Sequence, residues 1–508
     1  MASSLPNSIE TRLFINNEYV AAKSKETLTL VNPFDDSVIP AEVHVAGEED
    51  VNDAVEAARA AFKTGPWSTY TGAQRAVHMH KFADLIEKNA VELATLDTIS
   101  MGAPIAVLAG FIIPHVVAVF RYYAGWADKI QGESFGAEDG EYKIVRKEPL
   151  GVCAGIAPWN VPILYVAWKI APALAAGNTY IFKSSEKSPL SALAIGKLVV
   201  EAGFPPGVLQ FISGGPSTGS LLASHMDIAK ISFTGSTAVG KIIQNLATNS
   251  NMKRVTLELG GKSPAVVFAD ADFENAVGSA ADGFLVNSGQ VCVAPSRLYI
   301  QDTIAPAFIE AVKSRFQALA STLGSDPRSM TTSHGPMADK KQFDRVMSYI
   351  NIGKRDGDPV VGGARKGDKG YFIEPTIFLD PDHNNPIYKE EIFGPVLNIV
   401  TFKTEEEAIA LANDTNTGLS GNYFPLLSGL LHSLSYAMSA AAIYTNDLNR
   451  ALRVSAQIES GTVSINKPHF PNVQVPFGGF KQSGSGQELG VYGLESFLQT
   501  KTVIIKYV

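Results

Sequence analysis

Cysteine is scarce in this chain. Only Cys153 and Cys292 occur among 508 residues, which excludes a disulfide framework and makes a reducing compartment the expectation. The opening residues MASSLPNSIETRLFINNEYV carry neither an apolar signal core nor an arginine-rich transit pattern, so the expected location is cytoplasmic. Basic stripes are also missing. The net charge is −8, with acids and bases interspersed, and this argues against a nucleic-acid partner. No Cys/His cluster has zinc-site spacing. His78 and His80 stand two apart in a helical segment and so point to different faces; no metal is expected. The dinucleotide fingerprint GxGxxG is absent as well. GSGQELG at 484–490 has one residue too many and follows no strand pattern.

What is present fits a globular protein of more than one domain. Hydrophobic residues make up 45% and charged residues 18%, and 508 residues exceed what one core usually serves. EEDVNDAVEAARAAFK (48–63) sets Val51, Val55, Ala58 and Phe62 at helical spacing, and 73–97 reads as a second, longer helix. Strands and helices then alternate: GVCAGIA (151–157), a helix over 162–176, TYIFK (179–183), a helix over 188–203 stopping at Gly203, GVLQFISG, a helix over about 216–224, AKISFTG, STAVGKIIQNLAT and VTLELGG. After Gly261 the alternation restarts with PAVVFA, a helix over 272–287, SRLYIQ and a helix over about 304–320. Strict alternation predicts parallel sheets covered on both faces, so two α/β units in series are expected.

Four places carry candidate chemistry. In FTGSTAVG (233–240), Gly235 and Ser236 sit where a strand turns into a helix. Free amides there could hold a pyrophosphate, or the pair could simply cap the turn. Cys292, in NSGQVCVAPSR, lies at a loop-like edge between helix and strand, whereas Cys153 lies inside an apolar strand. A lone cysteine serves either as buried filler or as a nucleophile. Glu258, in VTLELGGKSP, is an acid in an apolar strand end, a costly place for a carboxylate unless it is paired or used. Asn160, in APWNVP, ends the first strand of the alternating unit, where open α/β sheets bind ligands; it could equally cap the next helix.

Taken together, these pieces resemble the NAD(P)-dependent aldehyde dehydrogenase family, over nearly the whole chain. The motifs that carry the resemblance are PWN (158–160), FKSSE (182–186), FTGST (233–237), LELGGKSP (257–264), GQVC (289–292), EEIFGPV (390–396) and PFGGFKQSGSGQELG (476–490). The resemblance implies a Rossmann-like NAD-binding domain (1–128 and 149–258), a second α/β catalytic domain (259–470) and a small β oligomerisation arm (129–148 and 486–508). It implies that Cys292 is the nucleophile and that Glu258 is the general base. Asn160 and the Cys292 amide would hold the oxyanion, and Lys169 and Glu488 would form a proton relay. NAD would be held by Trp159, Lys183, Glu186, Gly235, Ser236, Gly240, Glu391 and Phe393. Glu186 at the adenosine ribose would disfavour a 2′-phosphate, with Lys183 beside it offsetting part of that effect.

The implied reaction is oxidation of an aldehyde to a carboxylic acid through a cysteine thiohemiacetal and thioester. A homodimer or homotetramer and no membrane association are expected. Val161, Tyr165, Trp168, Val291, Val293, His469, Phe470 and Phe477 fall at pocket positions and favour a hydrophobic aldehyde. A semialdehyde dehydrogenase is the alternative, as is a catalytically impaired member with a binding or structural role. One departure stands out. Between GLS and AAIYT runs GNYFPLLSGLLHSLSYAMSA (421–440), where the family pattern passes directly from one to the other. Removing it restores that pattern, and its end residues can be encoded with splice signals. The segment therefore reads as a translated intron. As folded protein it is expected to protrude from the catalytic domain, poorly packed or as a short helix.

Overall fold

The computed structural model describes residues 8–419, 441–467 and 471–507. The stretch 421–440, with His469 and Phe470, lies outside the described residues. In the N-terminal half one mixed sheet contains β1 (Leu13–Ile15), β2 (Glu18–Val20), β3 (Val152–Ile156), β4 (Thr179–Lys183), β5 (Leu209–Ile212), β6 (Lys230–Thr234) and β7 (Arg254–Glu258). Its order is β2-β1-β5-β4-β3-β6-β7, with the short strand Gly484–Ser485 at the far edge. Strands β5, β4, β3, β6 and β7 run parallel. Every residue of β3, β4, β5 and β6 is buried, as the short apolar runs require when helices cover both faces. The chain order reverses between β3 and β6. This switch point opens a crevice at the C-terminal strand ends, where doubly wound sheets take ligands.

The second sheet is parallel throughout. It holds β8 (Pro264–Val267), β9 (Arg297–Gln301), β10 (Thr376–Leu379), β11 (Val396–Phe402), β12 (Ala441–Tyr444) and β13 (Val463–Ile465), in the order β10-β11-β9-β8-β12-β13. The expected α/β class with a Rossmann-like unit and a second α/β unit is what the structure shows. A third sheet joins Glu141–Pro149 to Leu498–Lys506 in an antiparallel register running from Leu498↔Pro149 to Lys506↔Glu141, and Glu133–Ser134 adds a short third strand.

Several local expectations need correction. The long helix expected over 73–97 is two helices, Gly72–Lys88 and Ala90–Met101, because the Asn89 side chain donates to the Leu85 carbonyl at 2.7 Å and ends the first. The helix expected over 188–203 is likewise split, into Leu190–Ala194 and Gly196–Ala202. The one over 272–287 runs as Phe273–Gly278, widens into a π turn at Ser279–Gly283 and ends in a kinked turn at Val286–Gly289. The start of GSGQELG, which the sequence reading did not assign to a strand, is the short strand Gly484–Ser485. Gly484 pairs with Glu258, and a Cβ on it would stand 1.9 Å from the Leu257 carbonyl oxygen, so only glycine fits. One helical run among the described residues, Ile105–Ala124, is long and apolar enough to cross a membrane. Its second half, Ile113–Ala124, packs against Gly72–Lys88 and Pro162–Ala175.

Candidate active site

The switch-point crevice is where the candidate residues gather. Trp159 and Asn160 follow β3, Gly235 and Ser236 follow β6, and Glu258 closes β7. Cys292 arrives from the other unit, at the end of an unusual turn. Asn287, Ser288 and Gly289 all have positive φ, at 48°, 55° and 73°. For the two non-glycine residues such backbone costs about 1–3 kcal/mol each, and local bonds hold it. Ser288 Oγ donates to the Gly335 carbonyl at 2.6 Å. The fully buried Gln290 donates to the carbonyls of Asn287 (3.0 Å) and Pro336 (3.2 Å) and accepts from the Ala338 amide (2.9 Å).

The result is a thiol aimed at a carboxylate. Cys292 Sγ donates to Glu258 Oε1 at 3.7 Å. Glu258 Oε2 accepts from Thr234 Oγ1 at 3.2 Å. Lys169, on helix Pro162–Ala175, donates to Thr234 Oγ1 (2.7 Å), Ser232 Oγ (3.0 Å) and Glu488 Oε1 (2.8 Å). Glu258, Thr234, Lys169 and Glu488 thus form one continuous buried chain. Asn160 Nδ2 gives one hydrogen to the Gln290 carbonyl at 3.1 Å, which leaves its second amide hydrogen as a donor.

Trp159, Asn160, Gly235, Ser236, Glu258, Cys292, Glu391 and Phe393 line one cleft of about 390 Å³. Trp159 and Phe393 meet edge to face at 5.3 Å, and Glu391 Oε1 accepts from the Gly261 amide at 3.1 Å. The cleft lining does not include Lys183, Glu186 or Gly240. The buried Lys183 turns to the Ser184 carbonyl at 3.1 Å, Glu186 Oε2 accepts from Ser185 Oγ at 3.4 Å, and Gly240 packs on Leu259, whose Cδ2 would lie 2.5 Å from an added Cβ. The Gly235 amide is not free, since it donates to the Glu258 carbonyl at 3.0 Å. The available donors are instead first-turn amides of helix Thr237–Asn249, which Ser236 caps.

The cleft also holds residues the sequence reading missed: Lys187, Lys341, Gln342 and Arg345. Lys187 pairs with Asp339 at 2.7 Å and lies 5.0 Å from the Trp159 ring centre. Gln342 and Arg345, on helix Lys340–Gly353, donate to the carbonyls of Phe393 (2.8 Å) and Glu391 (2.9 Å). Lys187 directly follows the FKSSE motif and could have been included with it; nothing in the sequence near 340 signals the cleft.

The model of the aldehyde dehydrogenase family matches residues 19–425 and 433–503. The chain belongs to the aldehyde dehydrogenase family. It is 47% identical over 498 residues to an aldehyde dehydrogenase of Davidiella tassiana (98% of this chain, 95% of that one). To human retinal dehydrogenase 2 it is 44% identical over 499 residues (98% and 92%). A solved NAD+ complex of aldehyde dehydrogenase from Bacillus cereus superposes with a TM-score of 0.91 at 39% identity, covering 98% of this chain and 96% of that one. The chain is thus an NAD-dependent oxidoreductase of aldehydes.

Electrostatics in this aldehyde dehydrogenase suit that chemistry. Burial, then the negative charge of Glu488, push Glu258 up to about 8, against the pull of Lys169. Burial, then the charges of Glu258 and Glu391, raise the Cys292 thiol well above its ordinary value. The thiol therefore keeps its proton at rest, and the carboxyl group within reach of it is Glu258. Burial raises Glu391 to about 7, offset by the Gly261 amide, Arg345 and Lys262, and lowers Lys183 to about 8, with Glu186 opposing. The donor set fits NAD: Glu391 for hydroxyls, and first-turn amides with Lys187 and Arg345 for phosphates.

Proposed function

We propose that this enzyme oxidises a hydrophobic aldehyde to its acid, with Cys292 as nucleophile and Glu258 as base. The observation that carries this reading is the 3.7 Å approach of Cys292 Sγ to Glu258 Oε1 at the sheet's switch point. The thiol proton moves to Glu258, and the thiolate attacks the carbonyl carbon. The alkoxide that forms meets the Asn160 amide and the Cys292 backbone N–H. NAD+, when bound, supplies the acceptor for the hydride that leaves as the thiohemiacetal collapses to a thioester. Glu258 then takes a proton from water, the hydroxide attacks the thioester, and thiolate departs. Surplus protons travel along Thr234, Lys169 and Glu488.

The proposed preference for hydrophobic aldehydes rests on Tyr165, which lines the cleft, and on the apolar residues packed behind it. Tyr165, Trp168 and Phe477 are buried and pack edge to face at 5.9 and 4.9 Å, and Val161, Val291 and Val293 are buried beside them. None of these side chains is charged, so a semialdehyde carboxylate would find no partner among them. NADH formation with aromatic, long aliphatic and carboxylate-bearing aldehydes tests this. The first two classes should give the highest kcat/KM; a carboxylate-bearing semialdehyde as best substrate would overturn the preference, and no NADH from any would overturn the function.

Assembly as a homodimer or homotetramer is proposed through the three-stranded arm, where Phe135, Ile504 and Ile505 are exposed. The cytoplasm is the proposed location, because Cys292 has to stay a free thiol. For 421–440 we keep the translated-intron reading. The family match breaks at 426–432 within it, and the flanking Leu419 and Ala441 are both buried. Excising the segment should raise soluble yield and kcat. If its codons dominate the mature transcript and their removal lowers activity, the reading is wrong.

A further inference from the structure

We propose that the Tyr165 hydroxyl is a second partner of the nucleophile, donating a hydrogen bond to the Cys292 sulfur and holding it as thiolate once Glu258 has taken the proton. This inference rests on the reading of Cys292 as nucleophile. Tyr165 lines the same cleft as Cys292, Glu258 and Asn160, and its ring is buried. The ring is fixed from two sides. Trp168 packs edge to face at 5.9 Å, and that indole is itself pinned by donating to His115 Nε2 at 3.2 Å. Lys169, one helical turn on, places Nζ 5.6 Å from the ring centre. The helix Pro162–Ala175 therefore presents neighbouring residues of one face to the reaction: Lys169 to the Glu488 side of the base, and Tyr165 to the thiol.

Tyr165 and Cys292 line the same cleft; a phenol hydrogen bond there favours the thiolate, while burial first, then the charge of Glu258, keeps the phenol a neutral donor. This fills a gap in the site. Burial and the carboxylates of Glu258 and Glu391 all oppose a thiolate at Cys292, and a charged sulfur in such surroundings needs a fixed donor. Tyr165 keeps its own proton throughout. The proton lost by Cys292 goes to Glu258, and the phenol O–H remains pointed at the sulfur through attack and again when the thioester releases it.

The test is the pH profile of Cys292 alkylation by iodoacetamide in the full-length enzyme, with the alkylated residue identified by mass spectrometry. Tyr165→Phe keeps the ring and its packing on Trp168. It should move the profile up by about one unit, a tenfold loss of thiolate at a given pH, and lower kcat about tenfold with KM for the aldehyde little changed. Replacing Tyr165 by 3-fluorotyrosine, which acidifies the phenol without changing its shape, should move the profile the other way. An unmoved alkylation profile in either protein would overturn the Tyr165 role, and so would a rise in KM with kcat and the profile intact, which marks mere packing. If Cys292 is not the residue alkylated, the assignment of the nucleophile fails instead.

Discussion

The two cysteines differ in setting: Cys153 is buried inside a strand, whereas Cys292 is half-buried at the cleft. Cys153 lies mid-strand in β3, fully buried, its Sγ turned to the Gly151 carbonyl at 3.9 Å. Burial pushes its thiol up to about 12, with Lys230 and Arg254 pulling the other way. Cys292 is also raised by burial, and further by two carboxylates. By acidity, then, neither is an activated thiol at rest. The difference is the neighbour. Cys153 faces a backbone carbonyl, which cannot take a proton, while Cys292 faces Glu258, raised to about 8 and so a strong proton acceptor once it is ionised. What sets Cys292 apart is a proton acceptor within reach, not a lowered thiol pKa.

Substitutions can break that contrast. The largest effect is expected from Cys292→Ala. Turnover should fall by more than about a thousandfold while NAD+ still binds, as measured by quenching of protein fluorescence; comparable turnover would end the assignment. Glu258→Gln comes next. Its steady-state rate should fall by about 10²–10⁴-fold, yet stopped flow should still show a stoichiometric, slowed burst of NADH, because hydrolysis of the thioester suffers most. A full steady-state rate counts against the base.

The pH dependence should follow from the same pair. Glu258 acts only when ionised, and its value is raised, so kcat should climb as pH rises through about 8 and level off above it; this limb should vanish in Glu258→Gln. The smallest effect should come from Cys153→Ala. Activity should stay within about twofold, and urea denaturation should show a loss of about 1–2 kcal/mol for the small cavity left in β3. A large loss of turnover there would erase the distinction between the two thiols.

Much of the fold was legible in the chain because its signals are local. Short, largely apolar runs such as TYIFK between turn residues read as strands buried on both faces, and Gly203 at φ 84° ends its helix as glycines do. The misread helices failed for local reasons too weak to see without coordinates: one side-chain bond at Asn89 and a widened turn at Ser279–Gly283. The short strand at Gly484–Ser485 left no local signal, because its partner, Leu257 and Glu258, is distant in sequence.

The sequence by itself determined which groups were available: one cysteine at a loop edge, an acid closing an apolar strand, an asparagine after the first strand of the unit, and a stretch at 421–440 foreign to its surroundings. Only the tertiary structure decided what those groups do to one another. Glu258 and Cys292 come from different α/β units, and Lys169 reaches Glu488 across 319 positions of chain. The helix Lys340–Gly353 enters the cleft with Gln342 and Arg345, although nothing in its sequence marks it. The physical reason is that proton affinities here are set by burial and by charges a few ångströms away. Neither exists until the two α/β units meet at the crevice and bring Tyr165, Cys292 and Glu258 into one cleft.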